Sequence, residues 1–427
     1  MIFDFFRRCF VKIDRKRYIQ KLLDRKENGL VKVITGIRRC GKSYLLFHLY
    51  KEELLNSGVS SDHIIEIALD DIAYIEYRNA VKLYNYVKSQ IVDESMHYVF
   101  LDEIQLLESN FADLVNGLMH IENLDIYVTG SNSKFLSSDI LTEFRGRGDE
   151  VRVFPLSFNE FATAYEDART AWKDYYTYGG LPLILSRKSD ELKAEYLISL
   201  FQNIYINDIK ERNHIKTDDE LDILVDVIAS AVGSLTNPTK LSSTFKSLSQ
   251  KSLSDKTIKL YLDYLSDAFL IEKAVRFNVK GKKYIDTPAK YYFEDIGLRN
   301  ARLNFRQQEE NHIMENIIYI ELRSRGYRVD IGVVETYEMN SKGKKIKKQL
   351  EVDFIANKGN KKYYIQSAFE MSTPEKMEQE KKSLNKLNDS FKKFIIVKDD
   401  IKTTIDDNGL ITMGIYDFLL NENSLEE

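Results

Sequence analysis

The stretch Leu30-Val31-Lys32-Val33-Ile34-Thr35-Gly36-Ile37-Arg38-Arg39-Cys40-Gly41-Lys42-Ser43 decides how this chain is read. Its first five residues form a strand-length, β-rich run, and a helix-compatible stretch from Tyr44 to Asn56 follows it. Between the two, Gly36 to Ser43 fit the pattern G-x-x-x-x-G-K-S/T in the strand-loop-helix context that the pattern requires. The glycines let the backbone turn so that successive N–H groups and the helix N-terminus face an anion. Lys42 is then expected to neutralise the β- and γ-phosphates of a nucleotide, and Ser43 to bind Mg²⁺. Gly36, Arg39, Cys40, Gly41, Lys42, Ser43 and Tyr44 make up the expected nucleotide-binding set. Cys40 reads most simply as a small loop residue. Arg38 and Arg39 read as outward-pointing, with contact to a phosphate or a partner as the alternative.

Working outward, apolar runs recur at Ile64–Leu69, Tyr98–Leu101, Ile126–Thr129 and Val151–Phe154, with helix-compatible stretches such as Ala80 to Asp93 between them. Strands alternating with helices imply right-handed crossovers and a parallel sheet, whose ligands sit at the carboxyl ends of the strands. The run Tyr98-Val99-Phe100-Leu101 ends in Asp102-Glu103, as a buried central strand delivering two acids to that edge would read. Asp102 is expected to hold Mg²⁺ through water, and Glu103 to act as general base on an attacking water. Thr129-Gly130-Ser131-Asn132-Ser133 follows the next strand and places polar groups, Asn132 among them, at the same edge; a plain turn is the competing reading of any one of these residues.

Composition bounds the rest. A chain of 427 residues has room for several domains. Sixty-two Lys+Arg against 66 Asp+Glu leave a net charge of −4, so any nucleic-acid contact must use a local patch. Two cysteines, Cys9 and Cys40, cannot build a disulfide framework. No apolar run approaches the ~20 residues of a membrane span, and no small-residue cleavage site follows Met1–Phe10. The expectation is a cytoplasmic protein without a membrane partner.

Together these motifs resemble the AAA+ branch of P-loop ATPases, with Walker A at residues 36 to 43, Walker B at 98 to 103 and a sensor-1-like segment at 129 to 132. That resemblance implies ATP and Mg²⁺ as cofactors, Lys42, Asp102, Glu103 and Asn132 as catalytic residues, and a homo-oligomer if an arginine completes a neighbouring site. Arg147 is the first choice for that arginine and Arg145 the second, within Glu143-Phe144-Arg145-Gly146-Arg147-Gly148; a solvated basic turn is the alternative. The order Phe154-Pro155-Leu156-Ser157-Phe158-Asn159-Glu160-Phe161, Tyr178-Gly179-Gly180-Leu181-Pro182 and Tyr205-Ile206-Asn207-Asp208-Ile209-Lys210-Glu211-Arg212 is similar to prokaryotic ATPases with a DUF4143-type C-terminal region. The expected domains are residues 1–160 (AAA+ core), 161–212 (helical lid), 213–285 (winged-helix-like) and 286–427 (a PD-(D/E)xK, or restriction-endonuclease-like, α/β domain).

Two features carry the last two assignments. Ser254 opens a helix in which Ile258, Leu262, Leu265 and Phe269 recur at helical spacing, followed by a β segment at Leu270 to Phe277 and the basic turn Lys280-Gly281-Lys282-Lys283. This resembles a winged helix, which serves either DNA contact, here through Lys256, Lys259 and Lys280 to Lys283, or protein contact. In the last region Glu315 and Asp353 fit the nuclease pattern, but the (D/E)xK positions are Gln366 and Ala368. One metal-binding charge and the lysine are missing, so a degenerate domain is expected ahead of an active nuclease. The function expected is Mg²⁺-dependent ATP hydrolysis coupled to these modules. The alternatives are a nucleotide-switched DNA-binding or signalling protein, and an ATP-dependent nuclease.

Overall fold

In the computed structural model, which describes residues 12–108, 111–130, 147–215, 218–306, 309–339, 345–371 and 373–426, β1 (Val31–Thr35) is buried along its whole length. It belongs to a five-stranded sheet with β2 (Ile64–Ala68), β3 (His97–Asp102), β4 (Leu124–Thr129) and β5 (Gly148–Arg152), in the order β2-β3-β4-β1-β5. All four pairings are parallel, as the alternation of strands and helices predicts. β4 intervenes between β1 and β3, so the carboxyl end of β4 stands between the glycine loop and Asp102.

Helix α1 (Lys16–Leu23) precedes the sheet. α2 starts directly at Lys42, and its segments Lys42–Tyr44, Leu45–Tyr50 and Lys51–Asn56 run on as one helix. The middle segment is π-helical, and its wider turn buries Leu45, Leu46, Leu49 and Tyr50 together. α3 (Ala80–Ser89) is capped by Asn79 and stops short of the expected Asp93, because Val92 N–H turns back to His97 Nε2 at 3.1 Å. With α4 (Phe111–Leu118) it covers one side of the sheet, packing Leu83, Val87, Leu114, Val115 and Leu118 against Val31, Val33, Val99, Leu101, Ile126 and Val128. Lys32 interrupts the apolar run of β1 yet is fully buried. Its ammonium bonds Asp125, which also accepts from Tyr127 OH at 2.7 Å, and Tyr127 in turn bonds Tyr50 OH at 2.7 Å. Burial lowers the Lys32 pKa, and the Asp125 charge opposes that shift.

By their internal packing the residues form two units: Met1–Pro155 with Asp267–Phe269, and Leu156–Ser266 with Leu270–Glu427. Residues 161–212, the expected lid, fall within the second unit. There Ser157 and Glu160 form a reciprocal capping box on α5 (Phe158–Ala162), and Phe158 packs its ring against Trp172 and Tyr175 of α6 (Ala168–Tyr178). α6 ends at Gly179 (φ 74°), and Gly180 N–H donates to the buried Asp295 at 2.7 Å. α7 (Asp190–Leu200) continues through Phe201–Ile206 and Asn207–Arg212, where Asp208 and Arg212 pair at 3.0 Å.

Three helices follow, α8 (Asp218–Ser230), α9 (Pro238–Ser249) and α10 (Asp255–Asp267), and then the antiparallel pair β6 (Ile271–Asn278) and β7 (Lys283–Phe293). A bridge between Thr236 and Ala289 ties the α8–α9 connection to β7. After α11 (Ile296–Arg302) and α12 (Glu310–Ser324), the chain completes an eight-stranded mixed sheet with β8 (Arg328–Met339), β9 (Lys345–Lys358), β10 (Lys361–Ala368), β11 (Lys393–Val397), β12 (Thr404–Ile405) and β13 (Leu410–Gly414). The order is β12-β13-β11-β10-β9-β8-β6-β7. Helix α13 (Pro374–Leu384) lies between β10 and β11, and α14 (Ile415–Leu420) closes the fold. Leu384 packs with Val334, Val352, Ile355 and Tyr364, whereas Tyr319 of α12 meets Phe354 and Tyr292. No helix among the described residues is long and apolar enough to cross a membrane.

Candidate functional site

The loop between β1 and α2 is built by backbone conformations that its glycines permit. Gly36 has φ 139° and Gly41 φ 99°, and a Cβ on Gly36 would lie 2.0 Å from the Val153 carbonyl oxygen. Arg39, exposed at the tip, also sits at positive φ (65°). Cys40 is fully buried, with Sγ 3.4 Å from the Val153 oxygen, which accounts for a small side chain there. Arg15, buried ahead of α1, donates to Cys40 O at 3.4 Å and Phe154 O at 2.7 Å, bracing the loop against the segment that follows β5. The Lys42 ammonium is buried inside the loop on the carbonyls of Gly36 (2.9 Å) and Ile37 (3.1 Å). Tyr44, in the first turn of α2, is exposed.

At the same sheet edge Asp102 closes β3, in register with Ala68 of β2. Thr129, the last residue of β4, donates its hydroxyl to Asp102 Oδ1 and accepts the Glu103 N–H at 3.1 Å, and the Ser43 hydroxyl also hydrogen-bonds Asp102. Burial raises the Asp102 pKa to about 6; Thr129 and Ser43 pull it down, while Glu103 and Asp70 push it up. Glu103 adopts φ 53° and ψ 48°, a conformation uncommon for a residue with a Cβ, and its carboxylate accepts from the Gln105 side-chain amide. Lys42, Ser43, Asp102 and Glu103 are therefore placed at one edge by β1, α2, β3 and β4. The spacing of the motifs anticipated those four, but not the bridging hydroxyl of Thr129 or the amide of Gln105.

Asn132 and Arg145 lie outside the described residues. Arg147 is exposed immediately before β5, where its carbonyl accepts the Val31 N–H at 2.9 Å. Val31 pairs with Gly148 and Thr35 with Arg152, so Arg147 lies at the sheet edge opposite the glycine loop, roughly 20 Å away along the strand at ~3.3 Å per residue.

In the second unit Glu315 of α12 and Asp353 of β9 are brought together, but Gln366 is not. Asp330 pairs with Ile355 and Gly332 with Val352, leaving Asp353 and Phe354 opposite Ile331 alone. This bulge turns both Asp353 and Phe354 toward α12. Gln366 of β10 bonds Glu380 of α13 instead, and it is the Ser367 N–H that reaches Asp353, at 2.8 Å. Two residues outside every sequence motif complete the cluster. Lys290 of β7 places its ammonium 2.8 Å from Glu315, 2.8 Å from Glu351 and 3.9 Å from Asp353, and Tyr292 OH donates to Glu315 at 2.6 Å. Burial and the neighbouring Glu315 raise the Asp353 pKa to about 8, while the Lys290 charge holds Glu315 below its ordinary value.

A family model described as an AAA domain matches residues 28–162, and one described as a domain of unknown function, DUF8612, matches residues 169–309. The region expected to be of the DUF4143 type is thus matched, from residue 169 to residue 309, by DUF8612 instead. An uncharacterized protein of Haemophilus influenzae is 35% identical over 416 residues, covering 96% of this chain and 98% of that protein. The uncharacterized protein MJ1544 of Methanocaldococcus jannaschii is 29% identical over 363 residues, covering 81% and 76%. Among solved structures, AMPPCP-bound DnaA from Aquifex aeolicus aligns at 17% identity with a TM-score of 0.30, over 60% of this chain and 89% of that one.

Proposed function

The chain carries an AAA domain and belongs to one family with the Haemophilus influenzae protein, and from that premise we propose that it binds ATP with Mg²⁺ and hydrolyses it. The observation that carries this reading is the meeting of Lys42, Ser43, Asp102 and Glu103 at one sheet edge, with Thr129 tied to both acids. The residues fit the substrate and the ion. Lys42 and the glycine-loop N–H groups would hold the phosphates, and Ser43 and Asp102 would hold Mg²⁺, whose charge offsets that of the phosphate oxygens. Glu103 takes a proton from water as the water oxygen bonds the γ-phosphorus, while the bond from that phosphorus to the bridging oxygen of ADP breaks. Asn132 is assigned to sensing the γ-phosphate or positioning that water. Arg147, at the far edge of its own sheet, can serve only the site of a second subunit, which makes a homo-oligomer part of the proposal.

Nucleotide state is proposed to act on the second unit. Helices α8 to α10 followed by the β6–β7 hairpin with exposed Lys280, Lys282 and Lys283 support a winged-helix-like reading that starts at residue 213, but the hairpin is also the edge of the eight-stranded sheet and β7 runs on to Phe293, so the boundary expected at residue 285 falls inside a strand of that sheet. The mixed sheet with Glu315 and Asp353 supports a nuclease-like, degenerate reading of residues 286–427. The same exposed lysines support the second functional reading, a nucleotide-switched DNA-binding protein.

The nucleotide assignment is tested by titrating a fluorescent ATP analogue with Mg²⁺ into wild type and Lys42→Ala. A charge-assisted hydrogen bond to phosphate is worth about 1.5–3 kcal/mol, so affinity should fall roughly 10- to 100-fold. Equal affinity of the two proteins would remove Lys42 from the site.

A further inference from the structure

The nuclease resemblance implies Mg²⁺ among Glu315, Asp353 and the (D/E)xK position, yet the side chains present do not fit that ion. Gln366 is turned to Glu380, so the third ligand position of the pattern is not supplied. A charge already sits among the carboxylates: Lys290 reaches Glu315, Glu351 and Asp353 from a strand that the pattern does not use. Glu315 and Asp353 keep only 8% of their surface and Lys290 4%. Gly233 closes over one side, where even an added methyl would come within 3.2 Å of Glu315 Oε2 and 3.1 Å of His312 Nδ1. A phosphodiester could not approach carboxylates covered in this way.

We propose that the Lys290 ammonium is the resident cation of this carboxylate cluster, standing where the fold resemblance implies Mg²⁺, so that the cluster ties β7, α12 and β9 together and does not cut nucleic acid. Three carboxylates from two elements, α12 and β9, gathered around one charge are an oxygen set of the kind a divalent ion takes, and a lysine satisfies the same carboxylates without an ion. Removing the ammonium should therefore uncover a metal site. The inference does not depend on the ATP reading, since no residue of the glycine loop takes part.

The experiment measures Mn²⁺ binding to the nucleotide-free full chain by electron paramagnetic resonance, together with the shift of melting temperature on adding Mn²⁺. The proteins are wild type, Asp353→Asn, Lys290→Ala and Lys290→Ala/Asp353→Asn. Wild type and Asp353→Asn should bind Mn²⁺ alike. Lys290→Ala should gain one Mn²⁺ per chain and be raised in melting temperature by it, and the double variant should lose both effects. A Lys290→Ala chain that folds only with Mn²⁺ gives the same support. If Lys290→Ala folds and gains no ion, the ammonium does not stand in a cation site, and the inference fails. If Lys290→Ala does not fold in any condition, the first pair decides: wild-type Mn²⁺ binding or metal-dependent plasmid nicking that Asp353→Asn abolishes overturns the proposal, and identical behaviour of the pair sustains it.

Discussion

Replacing Asp102 with Asn should make the nucleotide-free protein more stable while removing its catalysis. Asp102 is buried at the end of β3, and burial raises its pKa from 3.8 to about 6. The folded protein thus prefers this group protonated, and its charge costs stability once the pH exceeds the unfolded value. The cost is small near pH 4, grows through the window between the two pKa values, and is complete above pH 6. Two pKa units correspond to about 3 kcal/mol, of which about 1.5 kcal/mol is already present at pH 5. Asn keeps an oxygen that can accept from Thr129 and carries no charge. Its advantage over Asp102 should therefore grow by about 1.5 kcal/mol between pH 5 and pH 8. Urea unfolding of both proteins at these two pH values, without nucleotide or metal, measures the difference directly, and a phosphate-release assay follows the lost Mg²⁺ ligand. A difference in stability that stays constant with pH would mean that the charge on Asp102 is not what burial penalises.

Two further outcomes are expected. Gly36→Ala puts a Cβ 2.0 Å from the Val153 oxygen at a φ of 139°, so the loop must rebuild; nucleotide binding should be lost and the melting temperature lowered, and a variant that still binds with wild-type affinity contradicts the loop geometry. If the β6–β7 tip touches nucleic acid, replacing Lys280, Lys282 and Lys283 with Ala should weaken duplex binding at low salt and flatten its log–log salt slope by up to about 0.9 for each phosphate that the tip neutralises, with an unchanged slope counting against the tip.

The nucleotide edge was legible because its chemistry is written in short spacings. A strand, a glycine loop and a helix follow one another within residues 30–56, and Asp102-Glu103 ends an uninterrupted apolar strand. What escaped depends on pairing between distant strands. Thr129 bridges Asp102 and Glu103 only because β4 lies between β1 and β3, and the sheet order is not a local property of either segment. The nuclease-like pattern misled at Gln366 for a similar reason: one extra residue in β9 opposite Ile331 turns Asp353 toward α12, while its expected partner on β10 faces α13. Lys290 falls in no motif and becomes visible only when β7 carries it to Glu315. Lys32 shows the converse, a charge inside a correctly read strand that a buried Asp125 on the neighbouring strand accommodates.

In the proposed reaction Glu103 activates water while Lys42, Ser43 and Asp102 hold the nucleotide. Phosphate release by Glu103→Gln under saturating ATP and Mg²⁺, with nucleotide affinity measured in parallel, tests it most directly. Wild-type affinity with turnover reduced about 100-fold or more, within the range of a lost general base, is expected. Turnover equal to wild type at equal affinity would contradict it.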